Sequence, residues 1–295
     1  MIHPTLQSRG NAGTAVVLLT GADRLSLDSV AFSLADSYAS VCAISYDVRP
    51  NGEADAGLSI VRRVSRPVGQ GVGVGDAEIF DLSDCCLSCS VVKHDAGGTL
   101  ASLRGQARVF LVSLPVGLEA TPVARYLEDM MRLDSWGDGM GVAAVVNAVG
   151  LDEFEERFFD DDRLCVYGTG DEDGVFDERS TGAVVSRLIR EATHVLELPV
   201  VGRGCLSRHV DADGECACRD IIRAVARRGA VVVEDAHEAD LCDIAGLYEV
   251  ESSVGARSAA RHAHLITIMI INLNNVYTVN RKNGRKPVII RRGTE

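Results

Sequence analysis

Two cysteines near the end of the first third of the chain have the spacing of metal ligands. Cys86 and Cys89 are separated by two residues, so both thiolates can reach one soft metal ion from a single turn. Cys85 or His94 supplies a third ligand in this interpretation. A closed zinc site takes four ligands, and a lone Cys-x-x-Cys is also compatible with redox chemistry or ordinary packing. The pattern therefore indicates a metal site and leaves two alternatives open.

A second group of ligand types lies in the C-terminal half, in a segment rich in glycine and aspartate. Its members are Cys205, His209, Cys216 and Cys218. Thiolate and imidazole groups suit zinc, although this spacing matches no standard zinc finger. These residues form a secondary metal candidate, and scattered loop cysteines are the alternative interpretation.

The segment after the first apolar run has the position of a phosphate-binding loop. Gly21 ends the run, and Gly21, Arg24 and Ser26 are the candidate nucleotide-binding residues. In a P-loop, backbone N–H groups and a lysine hold phosphate oxygens, while a Ser or Thr hydroxyl holds Mg²⁺. All three lysines of this chain lie at residue 93 or beyond. A helix N-terminus attracts phosphate by itself, but Asp23 and Asp28 oppose an anion there.

Short apolar runs alternate with helical spacings along the chain. This alternation is typical of a parallel sheet with helices on both faces, so we expect an α/β fold with a mostly parallel sheet. The expected strands are 15–20, 41–45, 108–114, 141–146, 194–198 and 230–234, and the expected helices are 26–38, 122–132, 181–191 and 218–228.

Composition excludes several classes of protein. The 295 residues are 46% hydrophobic and 24% charged, so the chain can bury a core. A formal net charge of −12 argues against a protein that binds nucleic acid with its whole surface. Apolar runs long enough to span a membrane are absent, and so is an export signal, so we expect no membrane contact and a cytoplasmic location. Nine cysteines in such a chain predict metal binding or core packing rather than a disulfide framework.

The end of the chain differs from the rest. Residues 1–254 carry 22 basic and 41 acidic residues, whereas 255–295 carry 8 basic residues and 1 acidic residue. We expect 1–254 to form the α/β domain and 255–295 to be a disordered basic tail, in which 264–272 is either an edge strand or an aggregation-prone segment. The paired basic residues of the tail offer contacts to rRNA phosphates, and a solvated tail is the alternative. We expect no sequence-specific binding to nucleic acid.

The segment that starts at Cys86 (CLSCSVVKHD), together with the strand–helix–strand opening before it, resembles the CobW-like P-loop GTPases. That family includes zinc metallochaperones and is related to the HypB and UreG nickel-insertion GTPases. The segment is most similar to an actinobacterial branch with a Cys-x-x-Cys at this place. Residues 109–122, 142–151 and 181–198 follow in the family's order. The resemblance covers roughly residues 14–250 and rests on the order of the segments rather than on a single motif.

This resemblance implies a P-loop NTPase-like domain, zinc as the bound metal, and GTP with Mg²⁺ as the nucleotide. The family's phosphate-binding motif falls on residues 21–28, where Leu27 takes the lysine position and Asp28 the threonine position. The guanine-reading motif falls on 197–200 with none of its residues present, and Asn147 replaces the usual aspartate. Leucine cannot neutralise phosphate and aspartate repels it, so we expect no GTP hydrolysis. Residues 255–295 resemble no part of the family's C-terminal domain.

Three functions are compatible with these residues. The first is a zinc-responsive, non-hydrolysing scaffold that binds metal through Cys86 and Cys89, which the resemblance links to ribosome remodelling or hibernation under zinc limitation. Its partner is then a ribosome-associated factor or a client metalloprotein. The second is a GTP-dependent zinc metallochaperone, and therefore a GTPase, with Arg24 in place of the lysine. The third is a truncated copy without function.

Overall fold

The computed structural model describes the chain in ten segments, which are residues 13–53, 58–66, 77–81, 89–133, 139–164, 179–199, 212–247, 267–272, 275–280 and 289–291. The chain divides into two units, Met1–Tyr248 and Glu249–Glu295. Within the described segments, the first unit contains an eight-stranded, mostly parallel sheet with helices on both faces. This confirms the α/β fold expected from the sequence, and the architecture is consistent with a P-loop NTPase-like domain.

The described strands of the first unit are β1 (Thr14–Gly21), β2 (Val41–Pro50), β3 (Leu58–Ser65), β4 (Ala77–Asp81), β5 (Val109–Ser113), β6 (Met140–Gly150), β7 (His194–Leu198) and β8 (Val231–Val233). Its described helices are α1 (Arg24–Ser37), α2 (Cys89–Ser102), α3 (Ala120–Leu133), α4 (Phe154–Phe158), α5 (Thr181–Glu191), α6 (Ala212–Val225) and α7 (Leu241–Ile244), with a 3-10 turn at Ala236–Glu238. The strand order is β4-β3-β2-β5-β1-β6-β7-β8. The β2–β3 and β3–β4 pairs are antiparallel and the others parallel.

Strand β1 runs through the middle of the sheet and buries both of its faces. Val16 and Leu18 pack in the core beneath α2 and α3, whereas Val17 and Leu19 pack beneath α1 and α7. Successive side chains of a strand point to opposite faces, so a continuous apolar run is what a strand covered on both sides requires.

The chain leaves β1 and its neighbour β6 in opposite directions. β1 leads through α1 to β2, and β6 leads through α4 and α5 to β7 on the other side of the sheet. Val145 and Val149 of β6 face the helices α3 and α5, so α5 covers the face opposite α1. In open α/β sheets, ligands bind outside the carboxyl ends of the strands at such a switch point.

Some elements of the structure were not expected from the sequence. β3 and β4 extend the sheet with antiparallel strands, and the pair Arg62 and Arg63 hides the apolar alternation of β3. α2 contains Gly97 and Gly98, which are poor helix formers. Gly97 lies against α3, where an added Cβ would come within 3.2 Å of the Tyr126 ring. The structure therefore places a helix where propensity argues against one.

The second unit is described for three short strands. β9 (Thr267–Asn272), β10 (Asn275–Asn280) and β11 (Ile289–Arg291) form an antiparallel sheet in the order β11-β10-β9. Most of the paired basic residues of this unit lie outside the described residues, so the domain boundary at 254 and the contact with rRNA stay predictions. Among the helices of the described segments, none has the length and apolarity that a membrane span requires.

Candidate functional site at the carboxyl edge of the sheet

The turn between β1 and α1 is short and ends in a capped helix. Asp23 is the N-cap of α1, and its Oδ1 accepts a hydrogen bond of 2.7 Å from the Ser26 backbone N–H. An Asp in this position satisfies one of the free donors at the helix start. It also places a negative charge where a P-loop would hold phosphate, so the Asp23 carboxylate takes the place of an anionic ligand at the N-terminus of α1.

Arg24, the residue expected to replace the missing lysine, is held by carboxylates. Its Nε lies 2.8 Å from Asp28 Oδ2, and its Nη1 lies 2.9 Å from Asp47 Oδ1 on β2. Both contacts draw the guanidinium toward the α1 side of the sheet. Arg24 is therefore committed to two ion pairs in this structure and is not available as a lone phosphate-binding cation.

Leu27, at the position that the resemblance assigns to the lysine, and Ser26, at the glycine before it, are used for packing. Leu27 of α1 is 1% exposed, and its side chain packs in the core between this helix and the sheet. Ser26 is buried, and its Oγ lies so close to Gly150 that a Cβ there would come within 2.6 Å. Gly150 thus lets the start of α1 approach the end of β6. Gly21 is likewise confined, because a Cβ there would lie 3.3 Å from the Cβ of Leu27.

A shallow pocket lies at the switch point between β1 and β6. It is lined by the turn after β1, the end of β6 and the helices α4 and α5, and its lining includes Asp23, Asn147, Gly150, Arg157 and Leu188. Arg157 is paired with Glu153, at 2.9 Å from Nε to Oε2. The pocket is in the expected place for a ligand site.

Asn147 gives this pocket an unsatisfied acceptor. The residue is 1% exposed, and its Nδ2 donates to the carbonyl oxygen (3.4 Å) and to Oγ1 (3.2 Å) of Thr20. A carbonyl only accepts, and the Thr20 hydroxyl donates its proton to Val146 O, so the amide cannot be turned round. Asn147 Oδ1 therefore stays buried without a partner among the described residues. The Asp23 carboxylate in the lining carries a negative charge, which opposes a phosphate group in this pocket.

Glu197 occupies the end of β7, where the guanine-reading motif would begin. Its side chain is fully buried, and Oε2 accepts a hydrogen bond of 3.0 Å from Arg219 Nε on α6. Oε1 has no partner among the described residues. Burial raises the pKa of Glu197, and the Arg219 guanidinium opposes that rise. The end of β7 thus carries a structural ion pair instead of base-reading side chains.

The first cysteine motif lies at the start of α2. Cys85 and Cys86 are outside the described residues, and Cys89 is described only as the first residue of that helix. His94 lies five positions along α2 from Cys89, which is a rotation of about 140° around the helix. His94 Nδ1 lies 2.7 Å from the Tyr126 hydroxyl on α3, and the two rings meet edge to face. The ring orientation of His94 is thereby fixed by α3.

A buried polar network holds α2 to the sheet, and sequence reasoning missed it. Arg62 Nη1 donates to Asp95 Oδ1 and to Thr99 Oγ1, both at 2.6 Å, and Arg62 Nη2 pairs with Glu78. Tyr46 donates its hydroxyl proton to Asp95 Oδ2 at 2.6 Å, and burial together with Asp95 raises the pKa of Tyr46. The signal in the sequence is a charge in the core-facing phase of β3, between Ile60 and Val64.

The secondary metal candidate is split by the structure. Cys205 and His209 lie outside the described residues. Cys216 is exposed on α6, whereas Cys218 is 2% exposed and packs in the core. Residues two apart on a helix do not share a face. Burial and nearby carboxylates raise the pKa of Cys218, which disfavours the thiolate that a metal requires.

Plain packing explains another cysteine. Cys42 of β2 is fully buried, and burial raises the pKa of its thiol to about 11.

Among the residues that the structure describes, no three side chains of His, Cys, Asp or Glu are grouped as a metal site would need. The zinc site expected at Cys85, Cys86, Cys89 and His94 stays a prediction.

Comparisons with known proteins give distant structural likenesses. No protein-family model and no curated protein matches the sequence. Among solved structures, the chain is similar to the Zn(II)-bound YjiA GTPase from E. coli, with 12% identity and a TM-score of 0.41, and to a Zn(II)-bound triple mutant of YjiA, with 12% identity and a TM-score of 0.39. Each alignment covers 84% of this chain and 66% of the other, so this chain spans less than two thirds of YjiA. Likenesses this distant do not transfer the zinc or the GTPase activity of YjiA to this chain.

Proposed function

We propose that this protein is a zinc-responsive scaffold built on a P-loop NTPase-like domain that does not hydrolyse GTP. The observation that carries the proposal is the start of α1. Asp23 caps the helix at the phosphate position, and Leu27 fills the lysine position with a core side chain.

The chemistry of phosphoryl transfer explains why this arrangement does not support hydrolysis. A P-loop NTPase stabilises the transferring phosphoryl group by a lysine, a Mg²⁺ ion and backbone donors. Here the lysine is a buried leucine, the threonine is Asp28, and the nearby Arg24 is paired with Asp28 and Asp47. GTP with Mg²⁺ therefore does not fit the residues that are present.

Zinc fits the chemistry of the first cysteine motif. Cys86 and Cys89 offer two thiolates at ligand spacing, with Cys85 and His94 as the further donors. The motif leads directly into α2, and this helix is anchored to the sheet because Asp95 contacts Tyr46 of β2 and Arg62 of β3. When bound, zinc would fix the segment before α2, and metal loading would then favour one conformation of a docking surface.

The partner in this proposal is a ribosome-associated factor or a client metalloprotein. Support comes from the resemblance of the cysteine motif to the actinobacterial CobW-like branch. The basic segment 255–295 adds contacts to rRNA phosphates, and such contacts weaken as salt rises.

Zinc stoichiometry and affinity of the full chain test the proposal. We expect about one tightly bound zinc ion per chain. The double variant Cys86→Ser/Cys89→Ser should lose it, and the matched double variant Cys205→Ser/Cys216→Ser should keep it. This control leaves Cys218 in place because Cys218 is a core residue. Zinc retained by the first variant, or absent from the native protein, contradicts the proposal.

A GTP-dependent zinc metallochaperone is the second candidate, and the pocket at the switch point is the observation that favours it. Titration with mant-GTP and Mg²⁺ separates the two. Our proposal expects no saturable binding. Saturable binding that depends on Mg²⁺ would instead support the metallochaperone.

A further inference from the structure

Three arginines and two aspartates lie together between the first turns of α1 and the β2–β3 ladder. Arg24 and Asp28 are on α1, Asp47 and Arg49 are on β2, and Arg63 is on β3. We refer to these five residues as the arginine cluster. It is separate from the pocket at the switch point, whose lining includes none of the five.

Strand periodicity places the cluster on one face of the sheet. Val41 of β2 packs in the core beneath α1, and Asp47 and Arg49 follow it at even spacing, so they share its face. Arg63 pairs in register with Ser45, which puts it diagonally beside Asp47 on that face. Arg24 reaches the same place from α1, because its Nη1 lies 2.9 Å from Asp47 Oδ1.

The carboxylates of the cluster are already engaged. Asp47 Oδ1 pairs with Arg24 and Asp47 Oδ2 pairs with Arg49 Nε at 3.2 Å. Asp28 Oδ2 pairs with Arg24 Nε at 2.8 Å. Three guanidinium groups thus face two carboxylates, and Arg63 has no ion pair within the described residues.

Arg63 carries the surplus positive charge in a partly buried position. Burial lowers its pKa, and repulsion from Arg49 and Arg24 lowers it further, against the attraction of Asp47 and Asp28. The surroundings are unusual for this protein, since residues 1–254 carry nearly twice as many acidic as basic residues. Among the described residues no carboxylate contacts Arg63 within ion-pair distance, so an anion bound there would stabilise this partly desolvated cation.

We propose that the arginine cluster binds the phosphate group of a ligand, with Arg63 as the principal donor because Arg24 and Arg49 are already paired with Asp47. The guanidinium fork matches the tetrahedral oxyanion by paired N–H···O bonds. The site lies beside the carboxyl edge of the sheet, where open α/β folds bind ligands. It goes beyond the proposed zinc-responsive function, because it uses neither the cysteines nor the β1–α1 turn as a P-loop.

Titration of the full chain with inorganic phosphate, at ionic strength held constant with NaCl, tests this site. Isothermal calorimetry or ³¹P NMR should show saturable binding to one site with a Kd of about 1 mM. Arg63→Gln should weaken binding by roughly fivefold or more, because it removes the surplus charge. Arg63→Lys should bind with intermediate affinity, because it keeps the charge but loses the fork.

The matched control is Arg228→Gln, which removes one exposed positive charge outside the cluster and should leave phosphate binding unchanged. Sulfate should compete with phosphate, whereas acetate at the same ionic strength should compete poorly. Denaturation midpoints establish that Arg63→Gln is folded. Absence of saturable binding to the native protein, or equal loss in Arg228→Gln, overturns the proposal. Neither result bears on zinc binding at Cys86 and Cys89.

Discussion

The start of α1 and the start of α2 are the two places where the sequence resembles functional motifs, and the structure gives them opposite characters. At α1, the motif positions are filled by a core leucine and a helix cap, Leu27 and Asp23. At α2, a buried network of Arg62, Asp95 and Tyr46 holds the helix behind the cysteines.

This difference distinguishes two ways in which the fold holds a helix against the sheet. Apolar packing and a single cap make the β1–α1 region stable without any ligand. A partly buried polar network instead stabilises a helix through directed contacts, and in this one Arg62 Nε has no partner among the described residues. Such a network fixes orientation more narrowly than apolar packing does. We therefore infer that the network positions α2, whereas Leu27 and Asp23 give the β1–α1 turn a structural role.

The largest expected effect comes from placing a lysine at residue 27, the position that the resemblance assigns to the lysine of a P-loop. Leu27→Lys removes a buried apolar side chain and brings a charge into the core, so we expect a loss of at least about 4 kcal/mol in the free energy of unfolding. Urea denaturation measures it. The matched control is Leu25→Lys on the same helix, where the side chain is 79% exposed and the change should stay within about 0.5 kcal/mol.

A stable Leu27→Lys variant that bound mant-GTP would reverse the comparison. It would show that the β1–α1 turn still holds a phosphate site that lacks only its cation. Leu27 of α1 packs in the core against side chains of β1, which favours the loss of stability described above over a gain of nucleotide binding.

The next effect is expected in the network behind α2. Asp95→Ala removes the α2 carboxylate that pairs with Arg62 and accepts the Tyr46 hydroxyl proton, while Arg62 keeps its contacts with Glu78 and Thr99. We expect a loss of about 3 kcal/mol in the free energy of unfolding. Asp129→Ala on α3 is the control, because Asp129 is 68% exposed and its pair with Arg132 is long, at 3.8 Å. Equal, small losses in the two variants would mean that the network does not stabilise α2.

The same pair of variants sharpens the functional side of the comparison. If the proposed zinc ligands precede α2, Asp95→Ala should also weaken zinc binding by roughly tenfold, as loss of outer support does at metal sites. Asp129→Ala should leave the zinc affinity unchanged. A network that matters only for stability would change the unfolding curve and leave the zinc affinity of the folded protein intact.

The central sheet was predictable because its strands are apolar on both faces. The runs that became β1, β5 and β6 need no partner information, since any strand so apolar must be covered on both sides. β3 was not predictable, because Arg62 and Arg63 interrupt its pattern and make sense only with Asp95 and the arginine cluster in place. A long-range ion pair of this kind leaves only a charge in the core-facing phase of the strand, and that charge does not identify its partner.

In the candidate site too, features set by local sequence were predictable, and features that depend on distant partners were not. The absence of lysine and threonine could be read directly from residues 21–28, and the structure adds what stands in their place. The role of Asp23 as N-cap follows from its type and position before α1. The orphaned Oδ1 of Asn147 could not be predicted, because it depends on which donors and acceptors Thr20 and Val146 leave unused across two strands.

The smallest effect is expected at the cap of α1. Asp23→Ala removes the hydrogen bond to the Ser26 N–H and should cost about 1 kcal/mol, whereas Asp23→Asn keeps an acceptor and should cost a few tenths. Thermal or urea unfolding measures both variants. In each of them mant-GTP should still fail to bind, because removing the negative charge does not supply a cation at Leu27. Binding gained by Asp23→Ala alone would show that the cap, rather than the loss of lysine, is what closes this end of the sheet to phosphate.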